Sequence, residues 1–494
     1  MTTLATHGTT AHTRADGFGQ LLRAEWTKLR SVPRWVLTLL CAIVLTVLMS
    51  LVAASSSGSD ANNFDVVVGP DGTPVADDFY FVHQPLSGDG TVTARVLSQQ
   101  GQGLDGSTDS QEWARAGLMI KESTQAGSPY AAIMVTPGHG VRMQSNFTTD
   151  LAGTGDTAPH WLRLSRSGSS ITGYQSADGT SWDELGTVGL DGLPETIEVG
   201  LFVASPDAVQ IERQFGSTSM GLTSTFDIAT FDNLSVEPDR PQRPAPLTGT
   251  EMGGRGTGEF TESDRTFTVS GSGDIAPNPP DDDVVQVSLI GFLVGLMVVA
   301  TVAVLFVTSE YKRGMIHTSF MVSPRRGRVL AAKALVIGAA TFVVGLIASL
   351  TAFLLVQPVL RSNGFAPPAY PHPSLSDPSV LRALVGSAAL LGVGAVFSLG
   401  LGAILRRSAG AITLAIGLLI LPLIVAIALP PTPAEWLMRL TPAGGFAIQR
   451  AKEPTDALFE PWSTIEPWAG FGALCVYAAA ALALAHWLLR RRDT

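Results

Sequence analysis

The sequence predicts an α-helical polytopic membrane protein of about six spans, with an extracellular all-β sandwich, jelly-roll-like, inserted between the first and second span. Composition gives the first indication. Of 494 residues, 46% are hydrophobic and 15% are charged, and the mean hydropathy is +0.27. The apolar residues gather in long runs, and the longest interval between two runs is acidic and has the pattern of short strands. Such a chain is too apolar for an ordinary soluble enzyme.

Six apolar runs are each long enough to cross a hydrocarbon layer about 30 Å thick as a helix. They cover residues 36–54, 284–308, 329–356, 380–405, 409–429 and 468–489. Both cysteines, Cys41 and Cys475, lie within these runs, so no disulfide is expected in the insert. Glycines of the fourth run predict close helix approach: Gly392, Gly394, Gly400 and Gly402.

Charge predicts the orientation. Residues 55–283 hold 32 acidic and 11 basic side chains, which leaves 10 acidic and 21 basic side chains elsewhere. If the N-terminus is cytoplasmic, sixteen Lys and Arg residues fall in cytoplasmic segments and five in short outer segments. This bias predicts a plasma-membrane protein with both termini cytoplasmic and residues 55–283 extracellular. A cleaved signal peptide is the alternative for the N-terminus, but the basic lead and long apolar run favour a retained span.

Residues 1–16 lack an apolar period and are predicted to be disordered. Residues 17–34 predict an amphipathic helix on the cytoplasmic membrane surface, followed by the first span at 35–54. Glu25 falls within the apolar arc of this helix. The arc is formed by Phe18, Leu21, Leu22, Trp26 and Leu29, opposite Arg23, Thr27, Lys28 and Arg30. A bundle of about five more spans is expected over residues 284–492.

The insert is predicted to form a β-sandwich over residues 55–237, followed by a Pro/Gly-rich return segment at 238–283 with one more strand at 266–270. Asp178 and Gly179 give a hairpin turn signal. Nine strands are predicted in the body, at 91–97, 114–121, 130–135, 140–145, 161–165, 171–175, 182–188, 197–204 and 228–236.

The sequence shows no catalytic constellation. No Gly-rich phosphate loop ending in Gly-Lys-Ser/Thr is present, so ATP hydrolysis is expected in a partner subunit. Asp183 and Glu184 are adjacent and point to opposite faces of a strand, which excludes paired carboxylate chemistry. We expect no enzyme activity, no cofactor and no metal site. The tryptophans Trp113, Trp161 and Trp182 suit either sugar stacking or core packing, and core packing is favoured.

The segment 309–328 between the second and third runs is basic and long enough for a short helix. Its plain interpretation is a cytoplasmic loop, since such loops are generally basic. Three segments, 25–31, 310–314 and 323–333, together resemble the permease subunits of type-2 ATP-binding-cassette (ABC) exporters of high-GC Gram-positive bacteria.

This resemblance implies a connecting helix at 17–30 and a coupling helix inside 311–322. It also implies a separate cytoplasmic ATPase that energises the chain through segment 309–328, and a second permease copy, either identical or a paralogue. The expected coupling residues are Glu25, Glu310, Tyr311, Lys312, Arg313, Gly314, Pro324, Arg325 and Arg326. Glu25 is expected to contact Lys312, Arg313 or Arg325; the alternative is that it reaches lipid headgroups, Arg23 or Arg30.

Residues 77–80, 86–90 and 113–121 resemble concanavalin-like or laminin-G-like modules. Residues 267–277 resemble the opening strand of such a module but follow its body, which implies a permuted or completed sandwich. Trp113, Arg115 and Tyr130 are the candidate ligand-binding residues, with an extracellular glycan or cell-wall polymer as the partner.

The leading function is that of a permease in the lipid bilayer, and no nucleic-acid partner is expected. The alternative is a membrane-anchored carbohydrate-binding or sensor protein.

Overall fold

A computed structural model describes residues 17–57, 66–102, 109–153, 160–214, 217–254, 256–280, 283–312, 326–452 and 465–491. Within these residues, six helices are long and apolar enough to cross a membrane. They coincide with the six predicted runs. Strands fill the interval between the first and second of these helices, which confirms the predicted fold class.

Nine α-helices and one 3-10 helix are named within the described residues, and the insert separates the second from the third. Their bounds are α1 Phe18–Ser31, α2 Pro33–Ser56, α3 Val284–Leu289, α4 Phe292–Lys312, α5 Arg326–Ser362, α6 Pro378–Leu405, α7 Ser408–Ile427, α8 Pro431–Arg439, the 3-10 helix η1 Pro442–Gln449, and α9 Pro467–Arg491. The end of the bundle where α2 leads into the insert is called the insert side below. The opposite end, where α4 and α5 flank residues 313–325, is called the loop side.

Helix α6 lies at the centre of the bundle, where it contacts α4, α5 and α9. Glycine allows this close packing, as the sequence predicted. A Cβ atom at Gly394 would lie 2.6 Å from Leu296 Cδ1, and one at Gly400 would lie 2.9 Å from Ala481 Cβ. A larger side chain at Gly394 would displace the Leu296 side chain, and one at Gly400 would press on the backbone of α9.

Helix α1 packs against α5 with a narrow face. Glu25 and Leu29 are buried, and Leu22 packs against the apolar core of the bundle. Trp26, which belongs to the predicted apolar arc, is 50% exposed. The side of α1 that meets the protein therefore has a carboxylate at its centre.

The strands of the insert pair in antiparallel fashion. Their bounds are β1 Val75–Asp77, β2 Phe79–Ser87, β3 Gly90–Gln102, β4 Arg115–Lys121, β5 Tyr130–Thr136, β6 Gly140–Ser145, β7 Thr149–Ala152, β8 His160–Ser167, β9 Ser170–Ser176, β10 Asp183–Gly189, β11 Thr196–Ala204, β12 Ala208–Gln214, β13 Ser217–Thr223, β14 Phe226–Pro238, β15 Thr248–Met252, β16 Gly258–Ser263, β17 Thr266–Gly271 and β18 Ile275–Pro277.

Two seven-stranded sheets form the sandwich. The first, called sheet A, has the order β10-β9-β8-β3-β14-β17-β16, and the second, sheet B, has the order β15-β2-β11-β4-β5-β6-β7. Leu164 and Phe231 of sheet A belong to the same core as Val82 and Leu118 of sheet B. Strands β15 to β17, from the return segment, join these same sheets and complete them.

The expected core packing of the three tryptophans is wrong. None of them belongs to the sandwich core, where Leu162 and Leu164 take the inward positions of β8. The Arg95 guanidinium lies 5.4 Å from the Trp161 ring centroid, and the Arg163 guanidinium lies 3.7 Å from that of Trp182. Trp113, just before β4, is 41% exposed. Strand alternation sends Trp161 to the face opposite its neighbour Leu162.

A two-stranded roof, β1 with β18, lies over the far side of sheet B. A buried apolar cluster rich in aromatic rings fills the space beneath, and it includes Phe79, Phe81, Tyr130, Phe147, Phe202 and Ile275. Two ion pairs join the roof to β4: Lys121 Nζ lies 2.8 Å from Asp77 Oδ2, and Arg115 pairs with Asp274. Burial lowers the pKa of Lys121, although Asp77 opposes that change. Strands β4 and β5 are therefore buried on both faces.

The insert side of the bundle contains a segment that the sequence did not predict. All eight residues of η1 are buried, and η1 contacts α6 and α9. A Cβ atom at Gly470 would lie 2.2 Å from the Gly444 carbonyl oxygen. Glycine at both positions lets the backbone of η1 pass directly against α9.

Candidate functional site

Four charged side chains from three helices meet at the loop side of the bundle. Glu25 and Lys28 lie on α1, Glu310 lies in the last turn of α4, and Lys333 lies two turns into α5. These four residues are called the charge cluster below. The cluster joins segments that are far apart in sequence.

Lys333 stands between the two carboxylates. Its Nζ donates to Glu25 Oε2 at 2.8 Å and to Glu310 Oε1 at 2.5 Å. Lys28 Nζ closes the arrangement by donating to Glu25 Oε1 at 2.9 Å and to Glu310 Oε1 at 3.3 Å. Both ammonium groups therefore contact both carboxylates.

Burial makes the pairing obligatory. Glu25, Glu310 and Lys333 are 3%, 5% and 2% exposed, so an unpaired charge at any of them would carry a large desolvation cost. The cluster holds two carboxylates and two ammonium groups, so its formal charges balance. Lys28 is more exposed. Partial burial alone would lower the pKa of its ammonium group. Its hydrogen bonds and attraction to Glu25 and Glu310 outweigh burial and raise that pKa above its usual value.

Helical spacing places Lys333 on the packed side of α5. Leu330, Lys333, Ala334 and Ile337 are all buried, at the spacing of one helix face. Lys333 Nζ also lies 5.1 Å from the centroid of the Phe306 ring on α4. A lysine inside an apolar run is a functional signal in its own right, and that signal was available in the sequence.

The end of α4 also contacts the turn between α6 and α7. The Thr308 and Ser408 hydroxyl oxygens lie 2.8 Å apart, and the Arg406 guanidinium lies 5.1 Å from the Tyr311 ring centroid. The last turns of α4 thus connect α1, α5 and the α6–α7 turn at one place.

The structure brings Glu25 and Glu310 together, with Tyr311 beside them. Within the described residues, the ion-pair partners of Glu25 are Lys28 and Lys333. Lys312 ends α4 and Arg326 begins α5. The other predicted coupling residues, Arg313, Gly314, Pro324 and Arg325, lie outside the described residues, as does most of the predicted coupling helix. Sequence reasoning missed Lys333 as a partner of Glu25.

The candidate ligand residues of the insert do not share a surface. Trp113 is exposed and lies beside His139, whereas Tyr130 is 0% exposed and packs against Phe147 beneath the roof. Arg115 is buried in its pair with Asp274. Within the described part of the chain, no group of three or more His, Cys, Asp or Glu side chains could hold a metal ion.

Comparison with known families identifies the membrane part. A family model described as ABC-2 family transporter protein matches residues 30–494. The chain belongs to the ABC-2 transporter family. As an ABC-2 permease it is a transmembrane component of an ABC transporter, and the family implies an ABC ATPase as its partner. No curated protein matches the chain.

Two solved structures are distantly similar to part of this ABC-2 permease. One is SCP-B, a member of the eqolisin family of peptidases in a complex with a tripeptide, at 9% identity and a TM-score of 0.24, covering 39% of this chain and 98% of that chain. Another is a functionally unknown protein from Saccharomyces cerevisiae, at 15% identity and a TM-score of 0.22, covering 36% and 94%. Scores this low give no basis for assigning peptidase chemistry here.

Proposed function

We propose that this permease is an exporter subunit that a separate cytoplasmic ATPase drives through segment 309–328. Two permease copies, identical or paralogous, form the transport path. Both termini and segment 309–328 are cytoplasmic, and residues 55–283 are extracellular.

The position of the charge cluster carries this proposal. Residues 313–325 are attached to α4 at Lys312 and to α5 at Arg326. Glu310 lies just before this segment and Lys333 lies two turns after it, and the two side chains form an ion pair. A force applied to the segment therefore acts on both sides of one buried contact. Glu25 transfers the displacement to α1, because it is bonded to the same lysine.

A buried shared contact suits a two-state movement. The observed ion pairs hold α1, α4 and α5 in one arrangement. The helices therefore move together or exchange to another paired arrangement. Closure of the ATPase would push the segment, and the cluster would convert that push into a rigid-body shift of three helices. No chemistry is required of this chain.

Mutants of the charge cluster test the proposal in the complex with the ATPase that co-purifies with the chain. We expect Glu25→Gln and Glu310→Gln to retain membrane insertion and ATPase binding. The distance change that ATP and vanadate produce between spin labels at Arg361 and Glu466 should become much smaller. Glu435→Gln is the matched control, because Glu435 forms only a part-exposed pair with Arg439 on α8. A full distance change in Glu25→Gln and Glu310→Gln would refute the coupling role.

Cysteine labelling tests the orientation. In a variant without Cys41 and Cys475, Thr180→Cys in the insert should react with an impermeant thiol reagent on whole cells. Ala409→Cys, in the first turn of α7 on the loop side, should react only after the membrane is opened. The sixteen to five bias of basic residues supports this result. Labelling of Ala409→Cys alone on whole cells would reverse the topology.

The alternative of a surface lectin or sensor that uses its spans only as an anchor is not favoured. One span suffices for an anchor, whereas this chain shares four charges among three helices next to a basic segment, and three of the four are buried. A chain that retained glycan on an array, and that never co-purified with an ATP-binding subunit, would support the alternative.

A further inference from the structure

The chain returns from the insert to the membrane at Asp283, directly before α3. On the same side of the bundle, residues 450–452 follow the buried 3-10 helix η1. These two places are separated by more than 160 residues of sequence, yet they are bonded to each other. The bond between them is made by one carboxylate.

Asp283 accepts four backbone hydrogen bonds. Its Oδ1 accepts from the N–H groups of Val285 and Gln286, both at 3.0 Å, and so caps α3. Its Oδ2 accepts from the N–H groups of Ala451 at 2.6 Å and Lys452 at 3.0 Å. One carboxylate oxygen serves the helix, and the other serves the segment after η1.

Neighbouring contacts strengthen the same connection. The Lys452 ammonium donates to the carbonyl oxygen of Pro280, three residues before Asp283. On the other side, Arg382 Nη2 of α6 donates to the Arg450 carbonyl oxygen at 2.9 Å. Residues 450–452 are thus held between the segment that returns from the insert after β18 and the central helix of the bundle.

We propose that Asp283 is a positioning residue that ties η1 to the chain returning from the insert, so that the insert and η1 move as one unit. The contact itself is independent of the proposed exporter function. Any effect of the contact on transport rests on the proposed exporter function. Such an effect would pass through η1, which packs against α6 and α9 on the insert side of the bundle. A displacement of the insert would pass through Pro280 and Asp283 to residues 451–452, and from there to η1.

Side-chain chemistry separates this role from simple capping. Asp, Asn and Ser cap helices about equally well. Only a carboxylate offers two acceptor oxygens, because Asn replaces one with an NH2 donor and Ser is too short to span both sites. Asp283→Asn and Asp283→Ser therefore keep the cap and lose the tie, whereas Asp283→Ala loses both.

Hydrogen–deuterium exchange on the full permease in nanodiscs tests the tie, without ATPase or substrate. We expect the amides of Ala451 and Lys452 to exchange on the order of tenfold faster in Asp283→Asn and Asp283→Ser, since a hydrogen bond to a charged group is lost. Asp283→Glu, which keeps the carboxylate, should restore part of the protection. Asp377→Asn is the matched control, because Asp377 precedes α6 on the same side and accepts from the nearby Ser374 N–H.

Unchanged exchange in Asp283→Asn and Asp283→Ser, with faster exchange only in Asp283→Ala, would show that Asp283 merely caps α3 and would overturn the tie. The exporter proposal fails on different evidence, namely a full ATP-driven distance change in the charge-cluster variants. The two failures are therefore distinguishable.

Discussion

In the insert, the buried Lys121 ammonium meets one carboxylate, that of Asp77, whereas in the membrane bundle each ammonium of the charge cluster meets two carboxylates. The pairing in the insert fixes the roof on sheet B in one arrangement. The pairing in the bundle is shared among three helices, so one contact can weaken while another persists. The difference teaches that one buried pair holds the roof of the insert, whereas a shared set of pairs joins three helices at the loop side of the bundle.

The largest effect is expected from breaking the pair in the insert. Lys121→Met leaves Asp77 buried and unpaired, so the free energy of unfolding of the insert should fall by about 3–5 kcal/mol. The double variant Lys121→Met/Asp77→Leu should recover only part, because the Gly127 N–H, which donates to Asp77 Oδ2 at 2.7 Å, loses its acceptor. Residues 60–280, expressed alone, should give a β-type circular dichroism spectrum and a cooperative melt. That melt measures the free energy of unfolding of the single and the double variant.

The shared cluster should respond unequally to the loss of its two lysines. Lys333→Met leaves two buried carboxylates with only Lys28, and should reduce the stability of the permease in detergent by about 3 kcal/mol. Lys28→Met should cost less than about 1 kcal/mol, because the Lys28 side chain is 44% exposed. Equal thermal shifts in the two variants would contradict an arrangement centred on Lys333.

A pH-dependent effect is expected at Asp227 in β14. Burial raises the pKa of its carboxyl to about 6, against a hydrogen bond from the Ser110 hydroxyl that lowers it. Since the folded pKa lies above the unfolded one, this group favours the folded insert fully below about pH 4. That contribution, about 2–3 kcal/mol, is lost as the pH rises through 6. Asp227→Asn should flatten the melting profile and stabilise the insert at pH 7.5; an unchanged slope would contradict the raised pKa.

The smallest effect is expected at the pair of Arg142 and Asp150, which lies on the surface of sheet B. Asp150 Oδ2 lies 2.5 Å from Arg142 Nη2, and the two side chains are 33% and 21% exposed. Asp150→Asn should change the free energy of unfolding by less than about 1 kcal/mol, because water screens both charges. A loss of unfolding free energy as large as that of Lys121→Met would contradict the expected difference between buried and part-exposed ion pairs.

Sequence reasoning succeeded where one physical rule decides the outcome. A helix that crosses lipid must be apolar over its whole length, so the six spans follow from composition. Alternation also located strands such as β6, whose observed bounds equal the predicted ones. The rule failed for β2, which is buried on both faces beneath the roof and therefore shows no alternation.

Of the two partners of Glu25, Lys28 lies three residues along the same helix, but Lys333 could not be read from the surroundings of Glu25 in sequence. The apolar arc of α1 showed that Glu25 needed a cation. Lys333 lies 308 residues away and was assigned to a lipid-crossing run, so only the packing of α1 on α5 identifies it. The segment η1 was missed for another reason: its eight residues show no period, and glycine-mediated backbone contact with α9 leaves no apolar pattern.

The pairing of β1 with β18 has a consequence for the history of the molecule. Val75 lies opposite Pro277 and Asp77 opposite Ile275, so the first and last strands of the insert are neighbours. A domain whose termini adjoin can be gained by a connection between two helices with little cost in chain closure. The same geometry makes residues 75–277 a natural unit for exchange between permeases.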